Sequence, residues 1–569
     1  MIYLTVLAPV ASVLSLILAY GLSAWTKKVD EGEGKMKEAA GVIRKGAIAF
    51  LNRAYMAMIA VIIAFFGLIG YFIGWRISVL FLCGALLSAV AVFLGMCSAV
   101  DGNARTANAA LTNSMDKPLR TALRSGSVMG LCLTGLGLLG IGCTVLVLGA
   151  AQAATVLTGF VLGASLIALF GRVGGGIYSK KALGAGKIHV AGGYVEDVAG
   201  TGSDLFESYA GALVSAVMIS AFMPMIYPRF GESFALDPIT GTALPLALLA
   251  FGAFGSMAGI MLVRGGESAN TVASLNTGIY VNGIFVIVSA LFLSKTLFGT
   301  FNCAAAIIAG LIAGIAISKT TAAGSRELRA NMLSAAGAMV FIALGIFTAD
   351  ALAGLYGITL AAVGMLSISA MKAAACAFGY VSDNAAEIAE IAELPEEARQ
   401  ITEKLKATGV TISSAGKGFV TGSAAFTSIA LFAVYARSVR LGSIDMLDPL
   451  VITGLLTGAM LPFLFSAFTM KFDQTAEDGS AKAALSETAA PGLIAITAPL
   501  AVGIVLGTEA LGGMLAGAIA SGVLISILMT NGGGFFKDAC GPSINILIKL
   551  MMIVSVTSAS VFIKIGGLI

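Results

Sequence analysis

Three carboxylates stand where a membrane helix can least tolerate them. In the segment Val195-Glu196-Asp197-Val198-Ala199-Gly200-Thr201-Gly202-Ser203-Asp204-Leu205-Phe206-Glu207, residues Asp197, Asp204 and Glu207 lead straight into the apolar run 210–225. An ionised side chain at membrane depth costs about 3 kcal/mol or more unless paired or hydrated, so such residues mark an ion or proton path by default. At about 100° per residue, offsets of seven and ten keep all three on one helix face. A second set is Lys537, Asp538 and Lys549. If that stretch is helical, eleven residues bring Lys549 to within about 20° of the face of Asp538, some 16 Å further along. Asp197 and Asp204 repeat the layout at about 10 Å. Each helix then carries a carboxylate at its mouth and an ionisable group deeper in. Arg172 adds a cation after the apolar run 166–170. Packed together, Arg172, Asp204, Glu207 and Lys549 form a near-neutral cluster that can hold or gate a cation or proton when one partner moves. The alternative is a static network that only fixes helix register.

The elements that must position these groups follow from composition. The chain has 569 residues, 58% hydrophobic and 11% charged. A soluble domain carries about 25% charged residues, so this is a membrane protein. Apolar segments long enough to span recur near 3–24, 55–74, 77–100, 127–150, 153–178, 198–226, 242–263, 272–294, 300–318, 332–352, 357–380, 414–436, 449–470, 490–507, 509–530 and 541–563. The expected fold is an all-α polytopic membrane protein of about sixteen helices, a single domain over 1–569, without β-barrel alternation. The 71 glycines suit close small-xxx-small packing, with Gly512, Gly513, Gly517 and Gly522 on one such helix. Gly174-Gly175-Gly176, Gly379 and Gly532-Gly533-Gly534 close three helices ahead of polar loops, a hint of a repeated helix pair. The longest polar segments are 25–54 and 381–413. The charges of Glu387–Arg399 predict a solvated helix there.

Basic residues set the orientation. Alternate loops are rich in them, including Lys27, Lys35, Arg44, Arg105, Arg120, Lys180, Lys181 and Lys187. The opposite loops hold only Arg76, Arg229, Lys295, Arg437, Arg440 and Lys564. The positive-inside rule makes the crowded side cytoplasmic and places both termini on the non-cytoplasmic side of the cell membrane. The first apolar segment has no cationic stretch before it and reads as an uncleaved span. The net charge of +4 is then a topology signal. No basic patch interleaved with aromatics points to nucleic acid, and the expected partners are the lipid bilayer and H⁺ or Na⁺. The seven cysteines form no CxxC pair and read as buried thiols. With His189 the single histidine, a His/Cys zinc site is not expected.

Several segments, in order along the whole chain, resemble the membrane-bound pyrophosphatases, pumps that couple pyrophosphate hydrolysis to H⁺ or Na⁺ export. They are Gly163–Phe170 with Arg172–Tyr178, Asp204-Leu205-Phe206-Glu207, Gly364-Met365-Leu366-Ser367, Asp383-Asn384, Gly416-Lys417-Gly418-Phe419, Leu461–Ala467 and Lys537–Leu550. The resemblance implies sixteen helices with an inner ring of helices 5, 6, 11, 12, 15 and 16, and a homodimer with external termini. It matches Arg172, Asp204, Glu207 and Lys549 to an ion gate. It matches Asp197 and Asp538 to the carboxylates that hold the attacking water.

The chain departs from the family around the substrate. Ser179–Gly186 replaces an acidic block, and His189 and Gly193 replace two of three aspartates in a repeated element. Cys376, Lys406 and Val410 stand where the family has Asp, Asp and Asn. The loop Asn531–Lys537 is short and lacks further acids, and the loops between helices 9 and 10 and between 13 and 14 look shortened. Pyrophosphate with several Mg²⁺ needs a dense set of hard oxygen ligands. Asp197, Asp383 and Asp538 remain as the obvious metal candidates, with Glu196, Glu387 or Glu390 as further carboxylates; three carboxylates are enough for one Mg²⁺ and not for the whole cluster. Mg²⁺ is therefore expected only if hydrolysis persists. Ser413 and Gly416 fall on potassium-switch positions. Lys372 either fills a vacated metal position with its own charge or merely snorkels. The expectation is a non-hydrolytic ion channel or carrier that keeps the gate. The alternatives are an active proton or sodium pump with a minimal site, and a non-transporting regulatory subunit.

Overall fold

In lipid every backbone N–H and C=O must be satisfied within its own segment, and an apolar chain of this kind answers with helices. The computed structural model describes residues 2–176, 195–231, 233–264, 271–322, 328–471, 481–531 and 540–567. The described residues form seventeen α-helices and one short hairpin. The helices are α1 (Ile2–Lys28), α2 (Lys35–Phe72), α3 (Trp75–Ala109), α4 (Asp116–Leu148), α5 (Ala150–Ala168) and α6 (Thr201–Phe222). Next come α7 (Pro238–Leu262), α8 (Thr271–Phe298), α9 (Asn302–Ala322), α10 (Leu328–Leu366), α11 (Ser369–Ile391) and α12 (Glu396–Ser438). The last are α13 (Pro449–Lys471), α14 (Ala481–Val505), α15 (Gly507–Asn531), α16 (Cys540–Thr557) and α17 (Ala559–Ile565). Met225–Ile226 and Phe234–Ala235 pair antiparallel between α6 and α7.

Fourteen helices are long and apolar enough to cross a membrane, and the α16–α17 pair, bent by 57°, makes a fifteenth. The sixteenth expected span, 357–380, is not one helix. Helix α10 leaves helical geometry at Ala353 and Gly354, where Gly354 has φ 57°, a left-handed value that costs glycine nothing. Gly357 then lies directly on the Ala349 backbone, as in a tight helical hairpin. The returning arm breaks again after Leu366, where Ser367 Oγ donates to the Gly364 carbonyl at 2.6 Å and competes with the helical ladder. The expected span is thus shared between the tail of α10 and α11.

Burial separates inner from outer helices. The most apolar windows of α5, α6 and α12 are 94%, 89% and 83% buried, against 17% for α2. Helix α6 packs on α5 and α12, α12 on α11, α15 and α16, and α16 on α15 and α5, which joins the six expected inner helices. Helix α7 also belongs to the interior, packed on α1, α6 and α8. Helices α13 and α15 meet through glycines. A Cβ on Gly458 would run into the Met514 carbonyl and one on Gly517 into the Leu455 carbonyl; Gly454 and Gly513 abut the Ala510 and Val451 carbonyls in the same way.

At the Lys- and Arg-rich end, α2, α3 and α12 outrun the roughly 20 residues that cross a bilayer. Their projecting ends share a small apolar cluster that includes Met36, Ile43, Ala107, Ile388, Leu394 and Ala398. Glu387–Arg399 is therefore not one solvated helix. It ends α11, turns and starts α12, with Ile388, Ala389 and Ala398 buried. Polar ties hold the same end. Asp101 faces Arg44 at 2.9 Å and Lys27 at 3.9 Å, and Lys35 meets Glu393 at 2.7 Å. The hydrogen bond and charge of Lys35 hold the exposed Glu393 carboxyl below its ordinary range. Among the described cysteines, Cys132, Cys303 and Cys376 are buried as expected, whereas Cys83 is exposed on the apolar face of α3.

Candidate functional site: a buried ion cluster between α5, α6 and α16

The approach to the site is built from two widened turns. Helix α5 ends in a π-helical turn, Leu169–Gly174, and α6 begins from another, Val195–Gly200. Such turns insert an extra residue and often mark functional sites. Two glycines let them cross closely. A Cβ on Gly171 would meet Ser203 Oγ at 2.8 Å, and one on Gly200 would meet Arg172 Cδ at 2.6 Å. The Arg172 side chain lies in the space Gly200 leaves, and its Nη1 donates to Thr201 Oγ1 at 3.2 Å. The extra residue also breaks the 100° arithmetic that put Asp197 on the face of Asp204. Only Asp204 and Glu207 are related by regular helix.

Past Thr201, α6 is regular, so Asp204, Glu207 and Ser208 share one face at offsets of three and four. That face receives Lys549 from α16. Lys549 Nζ lies 2.6 Å from Asp204 Oδ1 and 2.8 Å from Glu207 Oε2. It also donates to Ser208 Oγ at 2.9 Å and to the Asp204 carbonyl at 3.2 Å. Ser165 of α5 closes the far side by donating to Glu207 Oε1 at 2.5 Å. One turn before Lys549, Asn545 donates to Thr421 Oγ1 of α12 at 3.3 Å, and Thr427 of α12 reaches the Ser208 carbonyl at 3.2 Å. Asp204, Glu207, Lys549 and Arg172 are each no more than 1% exposed.

The cluster is buried and unevenly satisfied. Buried ions cost several kcal/mol each unless geometry and hydrogen bonds compensate. Lys549 has that compensation. Asp204 Oδ2 has no hydrogen-bond donor among the described residues. A buried carboxylate oxygen with free lone pairs, on a carboxyl group whose other oxygen meets an ammonium at 2.6 Å, is a place for a proton or a small cation.

The remaining candidates lie elsewhere. Lys372 is buried, donates to Ser318 Oγ at 3.1 Å and stands 5.3 Å from the Phe419 ring. It is therefore packed among α9, α11 and α12 and does not snorkel to water. Cys376, one turn on, abuts Gly416. Asp383 is half-exposed and pairs with Lys406 at 3.1 Å. Among the described residues no three Asp, Glu, His or Cys side chains converge on one point. The side chain of Asp197 and the whole of Asp538, with Lys180, Lys181, Lys187, His189 and Lys537, lie outside the described residues. Ser165, Thr201 and Ser208 were not singled out from sequence. Ser165 sits inside a segment already of interest; Thr201 and Ser208 lie three before and four after Asp204, one helical turn away, and that spacing was the available signal.

Comparison with known proteins agrees with this architecture. The family described as Inorganic H⁺ pyrophosphatase matches residues 13–190, 188–330, 325–479 and 474–536. The chain is 38% identical to a candidate K⁺-stimulated pyrophosphate-energised sodium pump of Clostridium tetani, over 98% of each chain. It is 32% identical to a K⁺-insensitive pyrophosphate-energised proton pump of Methanosarcina mazei, over 96% of this chain and 97% of that one. It is 31% identical to a K⁺-stimulated pyrophosphate-energised sodium pump of Thermotoga maritima, over 94% and 95%. The first of these alignments runs over 673 positions against a chain of 569, so the relative carries segments with no counterpart here. With an all-helical polytopic fold and a match along almost its whole length, this chain belongs to the membrane-bound, ion-translocating inorganic pyrophosphatase family.

Proposed function

We propose that this protein moves H⁺ or Na⁺ across the cell membrane through the Arg172–Asp204–Glu207–Lys549 cluster, and that it does so without hydrolysing pyrophosphate. The observation that carries the translocation half is the buried Lys549 ammonium shared between two carboxylates, with Asp204 Oδ2 open. Protonation or cation binding on Asp204 would loosen its hold on Lys549, and the ammonium would then rest on Glu207 and Ser208. The switch needs only a short movement of one flexible side chain.

The non-hydrolytic half rests on the residues left at the basic end. Phosphoryl transfer depends on neutralising the charge that develops on the phosphoryl oxygens. Between Ile177 and Asp197 the chain offers Glu196 and Asp197, and between Gly532 and Cys540 it offers Asp538. Asp383 is engaged by Lys406. This set does not fit a cage for several Mg²⁺. A homodimer with both termini on the non-cytoplasmic side completes the reading, supported by the family and by the crowding of Lys and Arg at the opposite end.

Two measurements test it. In vesicles with an imposed ion gradient, the protein should pass H⁺ or Na⁺, and Asp204→Asn and Lys549→Met should each abolish the flux; unchanged flux in both variants sinks the gate. Phosphate release from pyrophosphate with Mg²⁺, with and without K⁺ and Na⁺, should not exceed that of the Asp197→Ala/Asp538→Ala protein. Release above that blank favours the second reading, a pyrophosphate-energised pump with a minimal site. The relatives named above, all pyrophosphate-energised pumps matched end to end, favour it too.

A further inference from the structure

At the end of the bundle away from the Lys- and Arg-rich one, α5, α6, α12 and the bent α16–α17 pair surround a cavity of about 730 Å³. Arg437 and Arg440 stand among its polar walls with threonine and serine hydroxyls, and among the described residues no Asp or Glu lines it. The cations of this end are few and unevenly placed. Arg229 faces Asp350 at 3.6 Å, and Lys295 donates to the Gly299 carbonyl at 2.8 Å. Arg437 and Arg440 are walls of the cavity. The nearby acids are occupied otherwise. Asp237 caps α7, and Asp445 and Asp448 accept the N–H groups of Leu447 and Leu450. Glu509 lies in the first turn of α15 and is not part of the wall.

The two wall arginines are placed with some expense. Arg437 spends Nε and Nη2 on the Phe222 carbonyl, at 3.3 and 3.1 Å, which fixes it to the end of α6 and leaves further guanidinium N–H groups. Arg440 occupies the left-handed position that ends α12, with φ 58°. The bonds from Leu441 N to Ala436 O and from Arg440 N to Arg437 O complete the usual helix-ending pair at this position, which glycine normally fills. An L-residue there is strained. A charged side chain kept at a strained position beside a cavity points to a ligand. The cavity mouth also sits at interfacial depth, because Tyr71, Phe72 and Trp75 flank the lining residue Ile73 and are all exposed.

We infer that this vestibule binds a phosphate-class oxyanion, either free inorganic phosphate or the phosphodiester of an anionic lipid headgroup, between Arg437 and Arg440. Binding there is independent of whether the Lys549 cluster conducts and of whether pyrophosphate is a substrate.

Equilibrium dialysis of the purified, delipidated protein against labelled inorganic phosphate at constant ionic strength tests the site. The wild type should bind one equivalent more than Arg437→Gln/Arg440→Gly, or bind it at least about tenfold more tightly; identical binding by the two proteins overturns the proposal. Arg440→Gly alone separates ligand binding from helix capping. It should raise the thermal midpoint, by removing the left-handed strain, and still weaken phosphate binding. A raised midpoint with unaltered binding would leave Arg440 as a cap and also overturn the proposal. Nanodiscs distinguish the sources. In phosphatidylcholine discs the wild type should keep its extra equivalent. In phosphatidylglycerol discs, loss of that equivalent assigns the site to the headgroup and its retention assigns it to the free anion.

Discussion

Two helix contacts on adjoining sides of α15 and α16 solve the problem of holding helices together in lipid in opposite ways. Helices α13 and α15 touch backbone to backbone through Gly454, Gly458, Gly513 and Gly517. Helices α6 and α16 touch through Lys549, Asp204, Glu207 and Ser208. Lipid tails are as apolar as leucine, so neither contact gains from excluding water. The glycine contact gains dispersion and close approach, and it has one geometry. The ionic contact has several, because an ammonium can be handed between two carboxylates and a hydroxyl. Only the second can change state without separating helices, and the charged residues are therefore where movement should be sought.

The largest expected effect breaks the ionic contact. Lys549→Met leaves two buried carboxylates without their cation, which should cost about 3–5 kcal/mol. The thermal midpoint in detergent should fall accordingly, and Lys549→Met with Asp204→Asn and Glu207→Gln should recover most of it. A single variant as stable as the wild type would mean that the pair is not held as described. The glycine contact should break less reversibly. Gly458→Leu or Gly517→Leu drives a side chain into a carbonyl, and overpacking of this kind costs about 1–3 kcal/mol or more. No polar substitution nearby should rescue it, and that failure of rescue, read by the same melting measurement, is the distinguishing result.

A smaller effect sharpens the comparison within the ionic contact. Ser208→Ala removes one neutral acceptor from the Lys549 ammonium, a loss of about 1.5–3 kcal/mol for a hydrogen bond to a charged group. If Ser208 shares the ammonium during transfer, ion flux should slow more than stability falls, and flux assays beside melting curves decide this. The smallest effect concerns the same chemistry in water. Lys35 and Glu393 lie 2.7 Å apart but are well exposed, so Lys35→Met should barely shift stability. The sign is fixed by the lowered Glu393 carboxyl. The tie contributes fully above the ordinary carboxyl range near 4.3 and is lost as pH falls through the lowered folded value. The difference between wild type and Lys35→Met should therefore be small at neutral pH and vanish on acidification. A difference that grows at low pH would contradict it.

The charged cluster was legible because charge in an apolar chain is rare. Asp204, Glu207 and Lys549 drew attention by their setting, and the structure joins them across 345 residues. Composition and the repeat of apolar segments likewise predict the helical fold. The Ala353–Gly354 turn falls in the gap left between the expected spans 332–352 and 357–380, three residues after Asp350, whereas the break after Leu366 is harder to see because the residues on both sides of it are apolar. The π-helical turns were not legible either. A widened turn satisfies the backbone as a regular one does, and inner helices that are apolar all round carry no periodic face from which the extra residue could be read. The glycine pairing was visible on α15, whereas its answer on α13, Gly454 and Gly458, required the partner helix.

Helix α12 runs for 43 residues without a proline, about 65 Å of unbroken rod. Along that length it touches the apolar cap at Ala398, the Lys372 pocket at Phe419, the ion cluster at Thr427 and the arginine vestibule at Arg437. A helix yields far less along its axis than across it. A thrust of an ångström at one end would therefore arrive at the other nearly undiminished, which gives α12 the build of a connecting rod between the two ends of the bundle.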